Sequence, residues 1–174
     1  MKEKFRSMKI VQKKICLLGD FAVGKTSLIR RYVEERFDES YLSTIGVHMS
    51  RKRLERPNHF LDFFIWDLVG GEDFHKIGRN YLLGAAGALI VCDLTRPETL
   101  PKLAYYAEQM RAVNETAVLI FIGNKVDLAT ERAISDDELH QAITPLAHTF
   151  LQTSAKTGEN VNNAFYQLAE LLEM

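Results

Sequence analysis

The chain has two cysteines, four prolines and no long apolar run, and each shortage removes a class of protein. Cys16 and Cys92 stand inside apolar stretches without a Cys-x-x-Cys or histidine partner at ligand spacing. They read as core thiols rather than as a disulfide or a metal pair. No segment reaches the ~18 consecutive apolar residues of a membrane-spanning helix. The N-terminus lacks the charged-then-apolar layout of a secretory signal, so a cytoplasmic setting is expected. Charge of either sign is not in excess: 22 Lys and Arg face 23 Asp and Glu, for a net charge of −1. That balance gives no global signal for nucleic acid or an anionic membrane. The five histidines show no His-Glu-x-x-His or other ligand spacing. Lys2 rather than glycine follows Met1, and Leu171-Leu172-Glu173-Met174 carries no cysteine, so no lipid-attachment motif is encoded. Repeats, low-complexity tracts and linkers are also missing.

What is present suits one domain. The 174 residues, 47% of them apolar, are enough to bury one sizeable core. Lys2, Lys4, Arg6, Lys9, Lys13 and Lys14 make the N-terminus basic. Residues 1–8 read as a solvated tail, with contact to acidic lipids, and so peripheral membrane association, as the alternative. The folded domain is expected over 9–174. Short apolar, β-rich runs fall at 13–18, 46–54, 59–67, 87–93, 117–123 and 149–153, and helical periodicity at 25–36, 72–83, 100–113, 135–147 and 158–173. This alternation predicts an α/β fold: a mainly parallel six-stranded sheet with helices on both faces and loops gathered at one edge. In the last helix Val161, Ala164, Phe165, Leu168, Ala169 and Leu172 form one packing stripe. Pro101 suits a first helical turn, and Pro145 predicts an irregular last turn or a kink. Arg51-Lys52-Arg53 reads as a solvated strand face, or else as a patch for an acidic partner.

Gly19-Asp20-Phe21-Ala22-Val23-Gly24-Lys25-Thr26 fits G-x-x-x-x-G-K-[ST] between a β-rich run and an amphipathic helix. In that context glycines let backbone N–H groups and a helix N-terminus converge on one anion, while Lys25 adds a point charge and Thr26 a hydroxyl for Mg²⁺. The ligand class is a nucleoside polyphosphate. A phosphate cradle cannot read a base, but Asn124-Lys125-Val126-Asp127, after the apolar run Val118 to Ile122, is suited to it. The Asp127 carboxylate accepts from the adjacent N1–H and N2–H of guanine, and adenine would leave it facing an acceptor and a bare edge. Such an unpaired site discriminates by roughly 10⁴–10⁵. Asn124 can brace the loop, the Lys125 methylenes can lie along the base, and Ser154-Ala155-Lys156 offers the Ala155 N–H to the guanine carbonyl. Asp67-Leu68-Val69-Gly70 closes another strand, a carboxylate for water-held Mg²⁺ followed by a glycine whose N–H approaches a terminal phosphate.

These motifs, in this order, resemble the small GTPases of the Ras superfamily, most similar to the Rab-like branch, over roughly residues 9 to 174. The resemblance implies a P-loop GTPase G domain using GTP/GDP and Mg²⁺. Ala22, Val23, Gly24, Lys25, Thr26, Ser27 and Gly70 would serve the phosphates. Phe37, Asn124, Lys125, Asp127, Ser154, Ala155 and Lys156 would serve the base, and Thr26, Thr44 and Asp67 the metal. Lys25, Thr44 and Gly70 are the candidate catalytic residues. Phe37 to Gly46 would be switch I and Asp67 to about Arg79 switch II, read by effector proteins. Exchange and GTPase-activating factors are further implied partners, and a monomer is expected.

Two departures touch the chemistry. The position after Asp-x-x-Gly, where the family usually carries a water-orienting Gln, is Gly71. Phe21 stands where relatives carry a small residue that lets a stimulating arginine pass. Slow intrinsic hydrolysis follows, unless a partner supplies the amide or the Phe21 ring turns outward. Glu72 and His75 are nearby substitutes for positioning water, or else solvated helix-start residues. Met49, Trp66 and Tyr81 occupy the places of the Rab-like aromatic triad. The prenylated tail of eukaryotic relatives is not encoded, which leaves either a tail outside this chain or a soluble GTPase, for which a prokaryotic relative is one form. Two alternatives stay open: a GTP-loaded binding scaffold with negligible hydrolysis, and a P-loop kinase or other NTPase in which the Asn-Lys-x-Asp pattern is accidental.

Overall fold

A computed structural model describes residues 8–37, 46–146 and 149–174. The first seven residues, Thr44 and most of the expected switch I lie outside that range. The described residues form six strands and five α-helices, alternating except where β3 follows β2: β1 Lys9–Gly19, α1 Lys25–Glu34, β2 Val47–Glu55, β3 His59–Leu68, α2 Glu72–Leu82, β4 Ala85–Asp93, α3 Lys102–Val113, β5 Val118–Asn124, α4 Asp136–Ile143, β6 Phe150–Thr153 and α5 Val161–Leu172. The sheet order is β2-β3-β1-β4-β5-β6. Only the β2–β3 pair is antiparallel.

Strand alternation sorts the apolar side chains into two cores. Ile15, Leu17, Leu61, Phe63, Ile65, Leu89, Val91, Ile120 and Ile122 face α1 and α5. Cys16, Leu18, Leu68, Ala88, Ile90, Cys92, Leu119 and Phe121 face α2, α3 and α4. The near-continuous apolar runs of β1, β4 and β5 follow from being covered on both sides. The α5 stripe is buried from Val161 to Ala169 as its period predicts, with Leu172 half-buried at its end, and Phe165 stacks on Tyr32 of α1 with ring centroids 3.9 Å apart. Both cysteines are buried, with thiols pushed up to about 12 by desolvation, which makes them inert packing residues.

Element boundaries shift for local reasons. Strand β1 begins at Lys9 rather than residue 13, because Lys9 through Leu17 pair in register with His59 through Asp67. Helix α1 stops at Glu34, where Glu35 turns left-handed with φ 57° and its N–H returns to the Arg31 carbonyl. Pro101 precedes α3 instead of opening it. Helix α4 opens on a Ser135–Glu138 capping box and ends at Ile143, two residues before Pro145.

The Arg51-Lys52-Arg53 run is neither a merely solvated face nor a free patch. Arg51 and Arg53 both reach Asp62 across the β2–β3 pair, Arg53 with bonds of 2.6 and 2.9 Å, while Lys52 lies over the Tyr32 ring. The two guanidiniums cover the carboxylate completely, and their hydrogen bonds hold it down to about 2, against burial, which raises it. Because the folded value lies below the ordinary 3.8, this contribution to stability is present above that range and is lost as pH falls towards about 2. Asp62→Asn is expected to cost about 1–3 kcal/mol near neutral pH. Urea midpoints for both proteins should differ at about pH 7, and the difference should shrink as pH falls below the ordinary 3.8 towards about 2.

Candidate functional site

Every parallel strand ends at the same edge, and the loops leaving those ends carry the motifs, as expected where a doubly wound sheet reverses direction. The loop after β1 is shaped by backbone that needs glycine. Gly24 has φ 104° immediately before α1, and a Cβ there would sit 2.3 Å from Asn124 Nδ2. A Cβ on Gly19, at φ 146°, would lie 2.3 Å from the Val91 carbonyl oxygen. Lys25, the first residue of α1, is 6% exposed, and its Nζ donates to the Gly19 and Asp20 carbonyls at 2.8 Å each. Burial pushes its pKa down to about 8; Asp67 and Asp20 oppose this and Arg96 adds to it. Ser27 follows on the first turn of α1, with Ala22 at φ 58° in the loop and Val23 buried.

The end of β3 meets this loop. Thr26 Oγ1 donates to Asp67 Oδ2 at 2.6 Å. Gly70 lies so close that a Cβ would stand 2.4 Å from the Gly19 oxygen and 2.6 Å from the Asp20 carbonyl carbon. Only a glycine fits that approach. Gly71 has φ 67° and ψ −144°, and a Cβ there would face Asp20 Oδ1 at 3.3 Å and Phe21 Cβ at 3.7 Å. The Phe21 ring is turned outward, 49% exposed, and its carbonyl accepts from Arg96 at 2.5 Å. His75 is exposed on α2, where its Nδ1 and the Tyr105 hydroxyl are 2.8 Å apart, and Glu72 is exposed beside it.

The ends of β4, β5 and β6 form the second half. Asn124 is buried; its Nδ2 donates to the Val23 carbonyl and its Oδ1 accepts from Thr153 Oγ1, both at 3.0 Å. Lys125, at φ 70°, places its ammonium 2.6 Å from Asp93 Oδ2. Burial pushes the Asp93 carboxyl up, but hydrogen bonds from Lys125 and Thr95 outweigh it and hold it below the usual range. Asp127 Oδ1 accepts from the Ser154 hydroxyl at 2.5 Å, and the Thr157 N–H donates to Ser154 Oγ at 3.0 Å. Ala155 is buried and Lys156 exposed. Phe37 is half-buried against the α1/α5 core. Thr44 falls outside the described residues.

Three functional-region residues carry no signal in the sequence. Arg31 of α1 donates to the Ala155 and Lys156 carbonyls, stitching the first helix to the Ser-Ala-Lys loop. Arg96 links Asp93 to the phosphate loop. Tyr106 of α3 accepts from the Gly71 N–H at 3.0 Å. Apart from the local Arg96–Asp93 pair, these contacts join residues far apart in sequence, and no local pattern could have exposed them.

Comparison with known proteins agrees with this geometry. The family model described as "Ras family" matches residues 14–174. The chain belongs to the Ras family. It is 34% identical over 163 residues to the Ras-related protein Rab-22A of Mus musculus and of Homo sapiens, covering 93% of this chain and 84% of each relative. It is 36% identical over 160 residues to the Ras-related protein Rab5 of Nicotiana tabacum, covering 91% of this chain and 80% of that protein. The chain is thus a Rab-like small GTPase, a GTP-binding switch protein with GTPase activity, from a family that generally uses GTP/GDP and Mg²⁺ and works with effectors and regulators. The reading as an unrelated P-loop kinase or NTPase is set aside. Among the described residues no helix is long and apolar enough to cross a membrane.

If a phosphate sits on the buried Lys25 ammonium, as the motif reading expects, its binding carries a proton linkage. A polyphosphate favours the charged form, so the bound-state pKa exceeds the free value of about 8, and binding between the two takes up a proton. Calorimetry in buffers of different ionisation enthalpy should show uptake approaching one proton at about pH 9 and close to none at about pH 6.5. GTP affinity should decline as pH rises through about 8, and Lys25→Met should remove the part of the linkage centred there.

Proposed function

We propose that this chain is a slowly hydrolysing GTP/GDP switch, in which the residues just described divide the work. The phosphates sit in the cradle of Ala22, Val23, Gly24, Lys25, Thr26 and Ser27, with Gly70 offering its N–H to the terminal phosphate. Asp127 reads the guanine edge, Ala155 the carbonyl, and Phe37, Lys125 and Lys156 flank the base. Asn124 and Ser154 hold that pocket in shape. The meeting of the Thr26 hydroxyl and the Asp67 carboxylate beside the cradle suits a hard cation. These two, with Thr44, would hold Mg²⁺, which supplies charge neutralisation to the bound phosphates.

Hydrolysis on this reading is phosphoryl transfer to water, governed by positioning and electrostatics rather than by a covalent intermediate. Lys25 draws charge from the transferring phosphoryl group, Gly70 donates to it, and Thr44 belongs to the same assembly. The observation that carries the slow rate is Gly71. It has no side chain to orient water, and its φ of 67° with ψ of −144° is a conformation that a non-glycine residue adopts only under strain. Positioning and an inserted arginine are together worth about 10³–10⁵ in rate. The Phe21 ring is turned outward, which leaves the cradle intact, so Gly71 alone motivates the second reading, a GTP-loaded scaffold whose turnover has no functional role. The switch surfaces include Met49 and Tyr81, both exposed, on either side of Trp66; Met49 pairs with Trp66 across β2–β3, and the Trp66 and Tyr81 ring centroids are 6.0 Å apart. Effectors would read this surface with switches I and II, while exchange and activating factors set the nucleotide state of a cytoplasmic monomer.

Single-turnover hydrolysis by the full chain is expected below about 10⁻⁴ s⁻¹, under the ~3–5 × 10⁻⁴ s⁻¹ of a glutamine-bearing GTPase. A rate at or above that value contradicts the proposal. Phosphate release accelerated by a cell lysate supports the switch, and unresponsive GTP retention supports the scaffold. Gly71→Gln alone is expected to recover less than about tenfold, because the new side chain must first overcome the backbone strain. For the base pocket, Asp127→Asn should transfer preference from guanine to xanthine. Competition binding that shows unchanged selectivity would refute that role.

A further inference from the structure

Gly71 is anchored from a direction the motifs do not mention. Its N–H donates to the hydroxyl of Tyr106, in the middle of α3, at 3.0 Å. Its carbonyl accepts from the Phe74 N–H at 3.2 Å, opening α2. Tyr106 is only 2% exposed, and its ring packs edge-on against Phe74 and Tyr105 at centroid separations of 5.0 and 5.1 Å. The hydroxyl therefore has a fixed position, and burial, pushing its pKa up to about 12, keeps it neutral.

The amide that Tyr106 holds belongs to the peptide unit joining Gly70 to Gly71. Fixing one edge of a planar peptide fixes its plane. Both residues are glycines, with the widest backbone freedom of any residue type, and neither has a side chain with which to anchor itself. Gly70 meanwhile presses on the Gly19 and Asp20 backbone. The Gly71 peptide is thus clamped between the phosphate loop and α3.

We propose that Tyr106 is a positioning residue of the nucleotide switch: its hydroxyl sets the Gly70–Gly71 peptide plane against the phosphate loop, so that presence of a terminal phosphate is transmitted from Gly70 into α2. It touches no reacting atom and acts through the backbone of Gly70 and Gly71. The transmission rests on the proposed role of Gly70 towards the terminal phosphate. The clamp itself does not, and it can be measured without nucleotide.

Tyr106→Phe keeps the ring and removes the oxygen, and Tyr105→Phe removes the neighbouring hydroxyl, which serves His75 instead. In the full chain, amide hydrogen exchange at Gly71 is expected to accelerate about five- to tenfold in Tyr106→Phe, the fold-change equivalent to a net hydrogen bond of ~1 kcal/mol. Exchange at Met110, buried on the same helix, should stay constant, and Tyr105→Phe should leave Gly71 unaffected. The GTP-to-GDP affinity ratio should fall by a similar factor in Tyr106→Phe with GDP affinity unchanged, a readout that loss of packing alone would not move. Unchanged Gly71 exchange, or an equal rise in Tyr105→Phe, overturns the clamp. Faster exchange with an unchanged affinity ratio overturns the transmission. If the variant fails to fold, the temperature dependence of the wild-type Gly71 amide shift decides the clamp: shallow for a bonded amide, steep and contrary to the proposal for one open to water.

Discussion

The nucleotide site depends on one buried amide. Asn124 ends β5 with its Nδ2 on the Val23 carbonyl and its Oδ1 on the Thr153 hydroxyl, so a single planar group spans the glycine-rich loop, the loop after β5 and the end of β6. A side chain of this kind, buried and satisfied at both ends, is costly to disturb in either direction. Its closeness also explains Gly24, where any Cβ would strike the same amide at 2.3 Å. The glycine-rich loop and the loop after β5, about a hundred residues apart in sequence, are mechanically one object because parallel strands deliver both to one edge.

Around that joint the charges are organised in pairs that leave the pocket able to receive an anion. Asp93 takes the Lys125 ammonium and an Arg96 contact, which ties the loop after β5 to the end of β4. Lys25 has no carboxylate within salt-bridge distance among the described residues; it folds onto two carbonyls of its own loop. Carbonyl dipoles satisfy an ammonium's donors without neutralising it, so its charge is kept in a dehydrated place. The same burial that lowers its pKa makes a phosphate a better partner than water would be.

Much of this was legible in the sequence, and what was not has a physical reason. The strand and helix order followed from period and punctuation, and the sheet from their alternation. The glycine-rich loop, the Asn-Lys-x-Asp and the Ser-Ala-Lys segments fall at strand ends as their spacing requires. Boundaries drifted where tertiary pairing overrode local pattern, as with Lys9 to Gln12, whose polar residues hid a strand continuing beside β3. Arg51 and Arg53 looked like surface charge because their partner, Asp62, is nine or more residues away on another strand. Arg31, Arg96 and Tyr106 were invisible for the same reason: an arginine on a helix or an aromatic on a packing stripe has an ordinary explanation until the fold brings a distant carbonyl or amide to it.

Gly71 and Phe21 belong together in this light. A side chain at residue 71 would start beside Asp20 and Phe21, and the strained backbone there is tolerable only to glycine. The missing glutamine is therefore not a single exchange in an otherwise ordinary loop. The neighbouring loop residues, the positive φ and the bond to Tyr106 form one arrangement, in which the backbone at residue 71 is held by its surroundings rather than by a side chain of its own. Placing a side chain at residue 71 would require undoing several contacts at once, and such neighbouring changes do not add. On the proposed reading, an arrangement of that kind favours definition of the switch's shape over speed of its reset.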